Sequence, residues 1–159
     1  KSNNLNGRHL DIFLTHLHLD HIQGLPFFNP VFNPEYEIDI YCPDYHNIKV
    51  ENTILSFFNN PISPISKKGI KAKLNINELP IKNGKKIQLD HDMSVDYIKE
   101  DSHPLSGVLL YKLSVNGQKI VYATDVESPD GFEESVVDLT VTSMFWGIVG
   151  KGSSSGGMT

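Results

Sequence analysis

The order of short apolar runs along the chain predicts a mixed α/β domain. Three observations carry that expectation. Strand-like runs come before and after one stretch of helical spacing. An Asn-Gly step divides a long hairpin. The polar residues richest in chemistry lie at the ends of predicted strands. At 159 residues the chain is one small domain, or a piece of one, and is long enough to bury a core.

Residues 9–15, HLDIFLT, are apolar at Leu10, Ile12 and Leu14, with Phe13 on the other face, the pattern of a mostly buried strand. THLHLDH ends it, and residues 20–25 are expected to start a short helix capped by Asp20. Pro26, Pro30 and Pro34 punctuate the loop that follows. Residues 37–42 read as a second strand. Residues 47–58, NIKVENTILSFF, place Ile48, Ile54, Leu55 and Phe58 at roughly helical spacing, and Asn59-Asn60-Pro61 stops them. Short strands are expected at 70–77, 86–90 and 93–99, with Asn83-Gly84 turning between the first two.

GVLLYKLSV-NG-QKIVYATD gives the clearest local signal, because Asn116-Gly117 favours the positive φ angles of a tight hairpin. Pro129 to Ser135 reads as a helical turn and residues 136–143 as a further strand. From Gly147 to Gly157 the chain holds five of its twelve glycines and a run of three serines, the composition of a flexible terminus. No segment repeats at a period of 20 to 50 residues.

Hydrophobic residues make up 39% and charged ones 21%, ordinary for a soluble globular chain. A net charge of −5 provides no bulk attraction to nucleic acid or an anionic membrane. The one basic run, Lys67, Lys68, Lys71 and Lys73, is expected to be a solvated loop and strand edge rather than a phosphate site. Cys42 is the single cysteine and falls in a predicted strand, so a buried, inert thiol and a reduced, cytoplasmic setting are expected. No stretch approaches the ~18 apolar residues of a membrane span, and no signal peptide is expected from the opening residues.

His16 and His18 are two apart, so on an extended segment both rings project to one side. Imidazole nitrogens suit zinc and similar divalent ions. Asp20 and His21 follow where the chain turns, and can face the same space from another angle. With seven His and eleven Asp in the chain, this string should arise by chance in roughly one such sequence in a thousand, so metal binding is favoured. Two more candidates flank the hairpin: His103 before it in DSHPLSG, and Asp125 after it in YATD. A carboxylate has two oxygens, so Asp125 could bridge two ions ~3.5 to 4 Å apart. His9 at the strand start, His46 in a loop and His91 between two aspartates are read as non-ligands.

With these residues in place, the chain resembles the metallo-β-lactamase superfamily. THLHLDHIQGLPFF matches its H-x-H-x-D-H signature, most closely in the branch of phosphodiesterases and the tRNA 3′-processing nuclease. HPLSGVLLYKLSVNGQKIVYATD is similar to a later segment of that branch. Histidine at position 18, where the flavo-diiron branch has glutamate, argues against the di-iron redox relatives. The resemblance covers residues 9 to about 139. It implies a four-layer αββα sandwich, truncated or permuted, with the metals at one edge of two sheets. It also implies two divalent ions, zinc first, with manganese or iron as alternatives. His16, His18 and His103 would hold one ion, Asp20 and His21 the second, and Asp125 would bridge.

The implied reaction is hydrolysis by a hydroxide bridging the ions, with Asp20 as the catalytic residue that orients or deprotonates the water. Phosphodiesters are the favoured substrates. Lactones, thioesters and β-lactams come second, and a non-catalytic metal-binding module is the reading from another class. Partners are then a small-molecule or phosphodiester substrate, with nucleic acid less favoured and no membrane. The resemblance leaves room for a homodimer.

The family pattern is broken in two places. No histidine follows His103, so the distal sixth ligand is missing, and only a few residues precede the first matching strand. Residues 1–144 therefore read as the metallo-hydrolase domain and 145–159 as a Gly/Ser-rich tail. In that tail Phe145-Trp146-Gly147 and Gly156-Gly157-Met158-Thr159 resemble the family's first strand and glycine loop. A permuted order and a coincidental tail both fit.

Overall fold

The structure, a computed structural model, describes residues 8–80, 86–89, 92–101, 103, 107–126 and 144–145. Among these residues the chain forms two sheets. Strands β1 (Arg8–Phe13), β2 (Tyr36–Pro43) and β3 (Lys73–Leu79) make a parallel sheet in the order β1-β2-β3. Strands β4 (Ile87–Gln88), β5 (Met93–Glu100), β6 (Val108–Val115) and β7 (Gln118–Tyr122) make an antiparallel meander, and β8 (Met144–Phe145) joins it parallel to β7.

Register explains why the first sheet sits between two layers. Leu10 pairs with Ile38 and Ile38 with Leu74; Ile12 pairs with Ile40 and Ile40 with Ile76, so the centre of one face is aliphatic. Helix α2 (Val50–Ser56) packs into the core formed on that face. Val50, Ile54 and Phe58, at i, i+4 and i+8, are fully buried there. The opposite face is polar at the strand starts and aromatic at the strand ends. There Phe13 stacks on Tyr41 at 4.5 Å and meets Tyr111 of β6 edge-on at 5.3 Å, joining the two sheets. Such ring pairs contribute about 0.5–1.5 kcal/mol beyond their buried area. On the outer face of the second sheet Val108, Leu110 and Val121 are buried as well.

Most expected elements are present with adjusted ends. The strand expected at 70–77 moves to Lys73–Leu79, because the Lys71 and Ala72 amides donate instead to the Val31 carbonyl. The helix expected at 47–58 narrows to Val50–Ser56. Helix α1 (Leu19–Ile22) starts earlier than expected: His18 occupies its N-cap in extended conformation and Asp20 lies within its first turn, so Asp20 is not the cap. Two short 3-10 turns, Leu25–Phe27 and Asn29–Phe32, carry Pro26 and Pro30 in their first positions, where a missing amide costs little. Asn116 and Gly117 both take positive φ in the predicted hairpin. Lys67, Lys68, Lys71 and Lys73 are all exposed, with Lys73 paired to Glu37 across the sheet. The Asn83-Gly84 turn, the elements expected at 129–143 and the tail beyond Phe145 lie outside the described residues.

Candidate metal centre

The candidate ligands converge where both sheets end. Leu14 and Thr15 leave β1 tied to the second sheet, since the Leu109 amide donates to the Thr15 carbonyl at 2.9 Å and the Tyr111 hydroxyl to the Leu14 carbonyl at 2.7 Å. The following residues therefore project over the ends of β6 and β7. The Leu17 amide donates to the Tyr45 hydroxyl at 3.3 Å, which steadies the loop from the β2 side.

Two triads result, and they share His16. In the first, His16, His18 and His103 bring one ligand atom each within mutual reach. His103 Nε2 lies 3.0 Å from His18 Nδ1. Two donors on a tetrahedral zinc with bonds near 2.05 Å stand about 3.3 Å apart, so this spacing suits a small cation. In the second, Asp125 Oδ2 lies 2.9 Å from His21 Nε2 and 3.3 Å from His16 Nε2. Those two nitrogens are close to the carboxylate, yet both are buried and neither makes a directed hydrogen bond. Buried polar atoms left without a partner are uncommon. Divalent ions would satisfy both, so the residues present fit a metal centre.

His16 is the most enclosed of the set, at 1% exposure. Burial, helped by the nearby His21 and His18, pushes its pKa down to about 4, with Asp125 pulling the other way. The ring is thus neutral at physiological pH, the form that ligates metals. Asp125, three residues past β7, has a φ of 55°, left-handed and uncommon for a residue with a side chain. Gly107 closes the turn after His103, with its amide on the His103 carbonyl at 3.2 Å. Its φ is +67°, and an added Cβ would lie 2.4 Å from the Glu100 carbonyl oxygen.

Five of the six residues singled out from sequence meet in these triads: His16, His18, His21, His103 and Asp125. Asp20 is in neither. Its carboxylate is 3.6 Å from His21 Nε2 and half exposed, a position open to solvent on the first turn of α1. The second triad draws in His16 where the resemblance placed Asp20. His46 pairs with Asp44 in an exposed loop, and His91 lies outside the described residues. His9 sits at the far end of the sheet, 3.3 Å from Asp11 and 3.5 Å from Asp39, a third grouping of metal-ligating residue types. Sequence reasoning passed over Thr15, Thr124 and Tyr45. A threonine directly before a candidate ligand, in Thr15-His16 and again in Thr124-Asp125, was the available signal for two of them.

A family model described as "Beta-lactamase superfamily domain" matches residues 3–146. No curated protein matches the chain. Among solved structures, the human tRNase Z short form, ELAC1, superposes with a TM-score of 0.52 at 18% identity, over 77% of this chain and 52% of its own. The CmlA β-hydroxylase E377D mutant gives 0.57 at 10% identity, over 86% of this chain and 25% of its own. The metallo-β-lactamase fold protein YhfI from Bacillus subtilis gives 0.45 at 17% identity, over 77% and 45%. The chain thus spans about half, or less, of the structures it matches. At these identities the likeness is one of fold. By the family match over most of its length, the chain belongs to the β-lactamase superfamily, with the metallo-β-lactamase fold.

Proposed function

We propose that the chain carries a two-ion centre for hydrolysis of phosphodiester bonds. One observation supports this above all: two triads of metal-ligating atoms share the buried His16, and two of their nitrogens are buried without a hydrogen-bond partner. His16, His18 and His103 would hold one ion, and His21 and Asp125 the other, with Asp20 at its solvent side. Bound divalent ions would acidify a water and offset charge developing on the attacked phosphorus. Asp20, half exposed beside His21, would accept a proton from incoming water. The 103–125 segment resembles the phosphodiesterase branch, and the tRNase Z of similar fold is named for a nuclease activity. A tRNA substrate is less favoured here, given the net charge of −5.

One observation favours a second reading, a non-catalytic metal-binding module: Asp20, the group that would activate water, lies in neither triad. Turnover separates the two. Protein loaded with zinc or manganese should hydrolyse bis(p-nitrophenyl) phosphate, and His16→Ala and Asp125→Ala should each abolish this. Metal-loaded protein that releases no nitrophenolate would overturn the phosphodiesterase reading. Cleavage of a thioester or lactone instead would move the reaction to the carbonyl substrates.

A further inference from the structure

Thr15 and Thr124 come from the ends of β1 and β7, are 2% and 6% exposed, and place their hydroxyls 3.0 Å apart. Thr15 Oγ1 also lies 3.1 Å from His16 Nδ1. We propose that this hydroxyl pair is a clasp that positions the metal centre: it fixes the tautomer of His16 and the placement of Asp125. The proposal rests on the metal-centre reading above and deepens it.

A neutral imidazole carries one ring proton, on Nδ1 or on Nε2. Were it on Nε2, that N–H would be a buried donor with no aligned acceptor, because Asp125 Oδ2 at 3.3 Å is off its direction. Burying an unsatisfied donor costs about 1–3 kcal/mol. With the proton on Nδ1, His16 donates to Thr15, and the Thr15 hydroxyl donates in turn to Thr124. The Nε2 lone pair is then left facing both triads. A metal-ligating histidine needs its other nitrogen held in this way, and here a chain of two hydroxyls holds it. The second hydroxyl has a further effect. Thr124 precedes Asp125, whose φ of 55° is sparsely populated for a non-glycine residue and persists only where neighbouring structure over-determines it. Anchoring Thr124 to Thr15 supplies such a constraint and ties the Asp125 turn to the segment after β1 that bears His16.

The test is zinc affinity of the full chain, by competition with a chromophoric chelator, with circular dichroism to verify folding. Thr15→Val keeps the side-chain shape and removes the acceptor; Thr15→Ser keeps the hydroxyl. Thr15→Val should weaken zinc binding about 10- to 100-fold, and Thr15→Ser by no more than about threefold. Thr124→Val should weaken it too, and the double valine variant should add little to Thr15→Val alone, because both act through one chain of bonds. Folded valine variants that bind zinc as the wild type does would overturn the clasp alone. A wild type that binds no zinc would overturn the metal-centre reading beneath it. Should Thr15→Val fail to fold, ¹⁵N spectra of the metal-free wild type decide the matter. A protonated Nδ1 on His16 is expected, and a protonated Nε2 would overturn the proposal.

Discussion

Acid is predicted to destabilise the metal-free protein through one ring, that of His16. Burial, then the neighbouring His21 and His18, lowers its pKa from 6.5 to about 4. In the unfolded chain the ring takes a proton near pH 6.5, while in the folded protein it stays neutral until about pH 4. The unfolded state therefore binds more protons throughout that window. Stability contributed by the neutral ring is complete above pH 6.5 and falls as the pH drops toward 4. At 1.36 kcal/mol for each tenfold change, the whole fall is worth roughly 3 kcal/mol, a large share of the ~5–15 kcal/mol that holds a typical domain. Urea unfolding of chelator-treated protein at about pH 7, 6 and 5 measures it, with His16→Gln alongside. The wild-type midpoint should drop with pH, and the His16→Gln midpoint should drop less. Parallel curves for the two proteins would refute the reasoning, because the proton uptake would then belong to other groups.

Three more outcomes follow from the same geometry. Gly107→Ala should destabilise by about 1–3 kcal/mol, through a left-handed backbone and a Cβ pressed on the Glu100 carbonyl; an unchanged denaturant midpoint would contradict this. Tyr111→Phe removes the donor to the Leu14 carbonyl and should cost about 1 kcal/mol, read as a lowered melting temperature. The Cys42 thiol is buried, and burial, then Glu78 and Asp44, pushes its pKa up to about 12. A thiol reagent at mildly alkaline pH should therefore label only the denatured chain, and rapid labelling of the native protein would contradict that burial.

Much of the site was legible because its residues are chemically distinctive and local in sequence. THLHLDH supplies His16, His18 and His21 from seven positions, and any fold that ends a strand there brings them together. His103 and Asp125 were legible for a different reason: the Asn116-Gly117 hairpin returns the chain, so residues flanking it come to the same sheet edge. Placement of Asp20 was not legible. Its sequence position suits a cap, but the helix starts earlier, with His18 in the cap position, and only the three-dimensional path decides that. The Thr15–Thr124 pair spans 109 residues and two sheets, a contact that no local pattern encodes. Among the elements, β3 was misplaced because Ile70 and Ala72 look strand-like, but Ile70 closes a 3-10 turn over Lys67–Gly69 and the Ala72 amide donates to the Val31 carbonyl. Their apolar character serves packing there, not strand pairing.

Bound metal is the property on which the proposed function depends. Elemental analysis of protein purified without chelator measures bound ions per chain directly. The geometry predicts about two equivalents of zinc or manganese, falling in His16→Ala because the ion held by His16, His18 and His103 loses a ligand. No bound metal, even after addition of either ion, would contradict the central claim: the motif would be present without the site.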